Sequence, residues 1–166
     1  MEKLRHGLGA AKALCQRQGR YPQAETYATQ SLAGRRRALG PDHADTLDGT
    51  AALALTLLAQ GKFAESEPLA RQAVDLERQK RPESWRRFHA ESLLGGSLAG
   101  QKQYADAEPL LTGACLGMLA RRQHLGVPDR EHLDRACDRV IQLYESWGKP
   151  ERAAEWRTRR QTLKAK

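Results

Sequence analysis

The sequence predicts an all-α solenoid of about four antiparallel helix hairpins, and three observations predict it. First, one phrase recurs: "QGRYPQAETYATQSL" (18–32), "QGKFAESEPLARQAV" (60–74) and "QKQYADAEPLLTGAC" (101–115). Tyr21, Phe63 and Tyr104 stand 42 and 41 residues apart, and a weaker fourth copy, "WGKPERAAEWR", puts Pro150 in the aromatic position 46 residues after Tyr104. A period of that length marks stacked supersecondary units. Second, 40% of the 166 residues are hydrophobic but only 5% are aromatic, so the core must be built mainly from Leu and Ala. Those are helix formers, and the scarcity of Val and Ile argues against a sheet. Third, apolar residues recur at helical spacing on either side of each copy of the phrase.

Eight helices follow in order, near residues 2–18, 22–38, 43–60, 63–80, 84–100, 104–123, 129–147 and 150–164. They pair into repeats over 2–38, 43–80, 84–123 and 129–164 of a single domain, the last acting as a C-terminal cap. In the first helix Leu4, Leu8, Ala11 and Cys15 share one face. In the third, Leu47, Ala51, Ala54 and Leu58 repeat that stripe while Leu53 and Leu57 add a second. A helix apolar on two sides is packed on two sides, as an interior solenoid helix must be. The eighth, "PERAAEWRTRRQTLKAK", is mostly polar, as a helix with an uncovered outer face should be.

The recurring phrase has a physical grammar. Gly19, Gly61 and Gly148 fall where a helix ends and the chain reverses, a natural site for positive φ. The third copy offers Lys102 there, a poorer cap, with Gly100 close by. The aromatics Tyr21, Phe63 and Tyr104 are expected to wedge into their hairpin corners. The small residues Ala24, Ser66, Ala107 and Ala153, one turn further on, should let paired helices approach closely. Pro68 and Pro109 are expected near the end of a first helical turn, where a missing donor costs least. Gly95 and Gly96 would each cost about 1 kcal/mol mid-helix; close helix contact is the first reading, a ligand against the backbone the second.

These residues resemble the tetratricopeptide repeat, in the roughly 42-residue variant of kinesin light chains and many bacterial proteins. "LGPDHADTL" (39–47) is similar to that variant's linker between repeats, and "LLAQGKFAESEPLARQAV" and "LLGGSLAGQKQYADAEPLL" to its body. The second half also resembles the C-terminal region of bacterial multidomain proteins, among them Ser/Thr protein kinases. The linker "KRPESWRRF" between repeats two and three departs from the "LGPDH" form, so the resemblance does not fix the stacking angle at that junction. The resemblance implies a right-handed superhelix whose concave face holds an extended peptide or partner helix, and it implies no catalysis. Kinase motifs are absent from the sequence: there is no Gly-rich loop, catalytic HRD loop or DFG.

Chemical constellations are sparse. His6, His43, His89, His124 and His132 never form an i, i+4 pair. "DREHLDRACD" gathers Asp129, Glu131, His132, Asp134 and Cys137, but His132 and Cys137 lie five apart and would face different ways on a helix. The preferred reading is a helix start, with Asp129 as cap, Glu131 complementing the dipole, and Leu133, Cys137 and Val140 inward. Cys15, Cys115 and Cys137 are an odd count without CxxC spacing, expected as reduced thiols in a cytoplasmic chain. No run of 18 apolar residues suits a membrane-spanning helix, and the N-terminus lacks the apolar stretch of a signal peptide. The first unit begins almost at Met1, suggesting a piece of a longer chain. No cofactor, metal or catalytic residue is predicted.

The net charge of +8 raises a nucleic-acid alternative. Arg35, Arg36 and Arg37, then Arg78, Lys80 and Arg81, then Arg121 and Arg122, then Arg157, Arg159, Arg160, Lys164 and Lys166 close the second helix of each pair. Cations there complement the helix dipole, and stacking would align them into a basic ridge. Solvated helix ends come first among the readings, an acidic protein partner second and RNA or DNA third, because no aromatics interleave with the charges. Trp147 and Trp156 suit packing inside the last hairpin. Trp85 is expected against the preceding pair or, exposed, as a partner anchor. The family's concave face maps onto Arg17, Asp48, His89, Ser92, Arg135, Asp138, Gln142 and Glu145. The function expected is therefore a scaffold that binds a protein or peptide.

Overall fold

A computed structural model of the chain describes residues 18–164. Seven α-helices account for most of them: α1 (Tyr21–Leu39), α2 (Ala44–Ala59), α3 (Phe63–Lys80), α4 (Trp85–Gly100), α5 (Tyr104–Ala120), α6 (Arg130–Ser146) and α7 (Pro150–Lys164). There is no strand among the described residues. The helix expected over 2–18 lies outside them. Each helix packs on its chain neighbours, and α2, α4 and α6 also touch in series. Hairpins α2–α3, α4–α5 and α6–α7 therefore stack with their first helices side by side, as a solenoid requires. None of the described helices is long and apolar enough to cross a membrane.

One turn is built three times. Gly61 and Gly148 adopt φ of 74° and 73°, as does Gly19 at 69°, while Lys102 takes the same left-handed conformation at 64°. The amides of Lys62, Gln103 and Lys149 then bond the carbonyls of Leu57, Leu98 and Tyr144 at 3.0, 2.9 and 2.8 Å. This is the Schellman closure, which satisfies carbonyls orphaned at a helix end. Lys102 therefore bears a steric cost that the glycines avoid. Gly100 is no part of that turn: it ends α4, and a Cβ there would lie 2.3 Å from the Phe63 ring.

That contact corrects the role expected of the aromatics. Phe63 begins α3 yet packs on the end of α4, and Tyr104 begins α5 yet stacks on Trp147 at 5.7 Å, after α6. They join one hairpin to the next instead of filling their own corners. Ala24, Ser66, Ala107 and Ala153 are all 0% exposed, so the small positions do bring the paired helices together. Gly95 and Gly96 mark close approach too, with Leu111 Cγ 2.7 Å and Arg139 Cδ 3.1 Å from a would-be Cβ. Pro68 and Pro109 are the sixth residues of their helices, beyond the first turn where they were expected. Both are exposed, and Ala64 and Ala105, which lose the bonded amide, are exposed as well, so water can take those carbonyls.

The two linkers that differ in sequence build the same helix entry. His43 (φ −68°, ψ 144°) and Ser84 (φ −71°, ψ 142°) cap α2 and α4, accepting from the Asp45 and Arg86 amides. Asp42 pairs with Lys80 and Glu83 with Arg121, each 38 residues on. The connection from α5 to α6 instead passes through two 3-10 turns, Arg122–His124 and Val127–Asp129. Here Asp129 is helical itself (φ −83°, ψ −18°) and its side chain caps nothing, contrary to expectation. One apolar core runs from α2 to α7, and a smaller cluster of Ala28, Leu32, Leu53 and Leu57 joins α1 to α2.

The cysteine reading is overturned for two of the three. Cys115 on α5 and Cys137 on α6 form a disulfide, with Cα atoms 5.2 Å apart. Spacing rules recognise local pairs, whereas these residues meet across a contact between repeats 22 positions apart. Cys15 lies outside the described residues.

Candidate partner-binding groove

A groove of about 590 Å³ opens where the small and apolar faces of α2 and α4 meet the polar face of α6. Leu55, Leu58 and Ala59 come from α2, and Gly96, Ala99 and Gly100 from α4. Arg135, Arg139 and Gln142 form the α6 side, with Tyr21 and Phe63 also bordering the space. Gly96 permits this shape: its missing Cβ would sit 3.2 Å from Leu58 Cδ2 and 3.1 Å from Arg139 Cδ.

Arg139 is held in place from below. Its Nη1 donates to Ser92 Oγ at 3.0 Å, and Ser92 is itself 0% exposed. Burial, and then the charge of Arg135 nearby, lower its pKa to about 10. Asp138 acts in the opposite sense, and the guanidinium stays protonated at neutral pH. Arg135 pairs with Glu131, one turn away on the same helix.

Beside this groove lies a partly buried aromatic cluster. His89 of α4 and His132 of α6 meet with ring centroids 4.2 Å apart, and Trp85 stacks on His132 at 5.7 Å. Trp85 thus packs on a histidine of the following pair. Nδ1 of each histidine is buried without a hydrogen-bond partner. Burial, then the His132 ring, hold His89 well below the ordinary histidine range, with Arg139, Arg135 and Arg86 acting in the same sense. Burial and Arg135 lower His132, opposed by Asp129 and Glu131. No group of three or more potential metal ligands occurs among the described residues.

The sequence-predicted concave residues take several positions. Arg135 and Gln142 line the groove, Ser92 supports Arg139 from beneath, and His89 lies in the aromatic cluster. Asp48 pairs with Arg86 at 3.0 Å across α2 and α4. Asp138 and Glu145 pair with Arg160 and Arg157 of α7. Arg17 lies outside the described residues. Sequence reasoning missed Arg139, Leu58 and Gly96; the mid-helix Gly95-Gly96 pair was the signal that could have pointed to them.

The basic helix ends largely have partners. Arg35 donates to the Asp45 carbonyl at 2.6 Å and Arg36 to Gln72. Arg78 pairs with Glu91, Lys80 with Asp42, Arg81 with Glu77 and Arg121 with Glu83. Many of these bonds join one repeat to the next.

Stacked hairpins with one reused turn and a groove along their first helices define a helical-repeat protein. Residues 8–79 match the family model of the tetratricopeptide repeat, and the later hairpins reuse the same turn. The solenoid is similar to BtubC (BKLC) from P. vanneervenii, with TM-score 0.68 and 19% identity over 93% of this chain and 60% of that one. It is also similar to a Podosopora anserina protein of nearly identical TPR-like repeats named for kinesin light chain, with TM-score 0.71 and 20% identity. That likeness covers 94% of this chain and 73% of the other. The chain thus spans less than two thirds of the BtubC chain. No curated protein matches it in sequence.

Proposed function

We propose that the chain is a protein-interaction scaffold whose groove takes an extended peptide with apolar residues and at least one carboxylate. One observation carries this reading: an apolar floor of Leu55, Leu58 and Ala99 lies beside Arg139, which forms no ion pair among the described residues, while the lining carboxylate Glu131 is paired with Arg135. A ligand carboxylate there gains a charge-assisted bond in a partly desolvated site. The apolar floor supplies the non-directional part of the affinity.

The reading assigns no catalytic role. It extends to a cytoplasmic module of a larger bacterial signalling protein, on the resemblance of its second half to kinase-associated repeats. RNA or DNA binding is the weaker alternative, because most of the basic helix ends already have partners.

Selection of random peptides of about a dozen residues on the full chain tests the proposal. Selected peptides should carry Asp or Glu beside apolar residues and should bind Arg139→Gln at least tenfold more weakly, the loss of roughly one charged hydrogen bond. A selection that yields nothing, or peptides indifferent to both Arg139→Gln and Leu58→Asp, would refute it. Steeply salt-dependent binding of single-stranded RNA would favour the alternative.

A further inference from the structure

A second, smaller cleft of about 310 Å³ lies on the other side of α6, and Cys137 of the one disulfide described is among the residues that line it. Arg122, Arg130 and Arg160 line it together with Asp134 and Cys137. Cys137 is 4% exposed, whereas its partner Cys115 is 0% exposed within the apolar core. One sulfur of the Cys115–Cys137 bond thus belongs to a residue at the cleft wall and the other does not. The charge around it is positive: three arginines stand against Asp134, with Asp138 pairing Arg160 from outside the lining.

We propose that Cys115–Cys137 is an exchangeable disulfide, and that the arginine-lined cleft admits small anionic thiols of the glutathione class to Cys137. The thiolate attacks Cys137 Sγ, a new S–S bond forms to the small thiol, and the Cys115–Cys137 bond breaks. Cys115 leaves with the electron pair and takes up a proton. A second thiolate attacks the outer sulfur of the mixed disulfide, releasing the oxidised small thiol and the Cys137 thiolate. Two small thiols are oxidised by two electrons and the protein disulfide is reduced to two thiols. Nearby cations favour both approach of the anion and departure of the final thiolate. The bond is the covalent tie between α5 and α6, so reduction loosens the helix that also carries Arg135 and Arg139. A bond of this kind is expected to be regulatory where the surroundings are reducing.

The 166-residue chain, oxidised in air and alkylated without reductant, should yield a Cys115–Cys137 linked peptide. Reduction by glutathione should outpace reduction by cysteamine, whose thiolate is a zwitterion without net negative charge, by roughly tenfold at low salt when compared at equal thiolate. Added salt should shrink that ratio. With Cys115→Ser and oxidised glutathione, the mixed disulfide should map to Cys137. Absence of the linked peptide would overturn the proposal. So would equal rates for both thiols at every salt concentration, since opening by global unfolding ignores thiol charge. The salt series needs no variant, so it decides even if Cys115→Ser fails to fold.

Discussion

Lys102 occupies a backbone conformation that three glycines occupy elsewhere, and the difference is measurable. Replacing it by glycine removes the Cβ conflict at φ 64°, so Lys102→Gly should stabilise the chain by about 1 kcal/mol, net of the added entropy of the unfolded state. A thermal melt should rise by about 2–4 °C. Gly100 predicts the reverse. A Cβ there would lie 2.3 Å from the Phe63 ring, so Gly100→Ala should cost about 1–3 kcal/mol through overpacking. Phe63→Leu should recover part of that loss in a double-mutant cycle. The turn glycines were legible because the reversal is local and repeats. The Phe63–Gly100 contact was not, because it joins residues in different hairpins and no periodicity encodes which neighbour an aromatic leans on.

His89 and His132 add a pH dependence with a definite sign. Both titrate below the ordinary value of 6.5 when folded. The unfolded chain therefore binds more protons below that pH, and the stability present above it is lost as the pH falls through and beneath it. Tm should drop by several degrees between about pH 7.5 and pH 5.5, and the drop should be smaller in a His89→Leu, His132→Leu variant. Glu77, whose carboxyl burial raises, acts in the opposite sense as pH falls and is common to both proteins. Equal drops in the two would refute the assignment.

Among the elements, amphipathic spacing located the helices well and their ends less evenly. The segments expected at 63–80 and 150–164 match α3 and α7, and most other boundaries differ by one residue. The exception is α5, expected to 123 and ending at Ala120. Arg121 and Arg122 read as the last turn of a helix, but the chain needs both 3-10 turns to reach α6. Linker chemistry misled in the other direction. "LGPDH" and "KRPES" look unlike, yet His43 and Ser84 perform one capping job through a ring nitrogen and a hydroxyl. Ser84→Ala should therefore cost about 1 kcal/mol, seen as a shifted denaturation midpoint with an unchanged m-value. Glu83→Gln should cost less than about 1 kcal/mol, because its carboxylate is mostly exposed and its pairing with Arg121 is screened. The groove was half legible. Arg135 and Gln142 follow from their place on the first helix of a pair, whereas Arg139 matters only because Gly96 opposite it has no side chain.

For the molecule as a whole, neighbours supply what no hairpin has alone. Helix α4 buries Leu93, Leu94 and Leu98, and it contacts α5 and α6. A chain ended after Gly100 would expose that face, so the fragment 1–100 should aggregate or bind a hydrophobic dye while the full chain stays monodisperse. Light scattering compares them directly, and a soluble fragment with a cooperative melt would count against the stacked core.

The aromatic bridges also decide what can be copied. Phe63 at the head of α3 rests on the last residue of α4, and Tyr104 at the head of α5 on Trp147 after α6. The interchangeable cassette therefore runs from the outer helix of one hairpin through the inner helix of the next. A splice placed just before an outer helix keeps each ring with its seat, whereas one placed between hairpins hands the ring a stranger's surface.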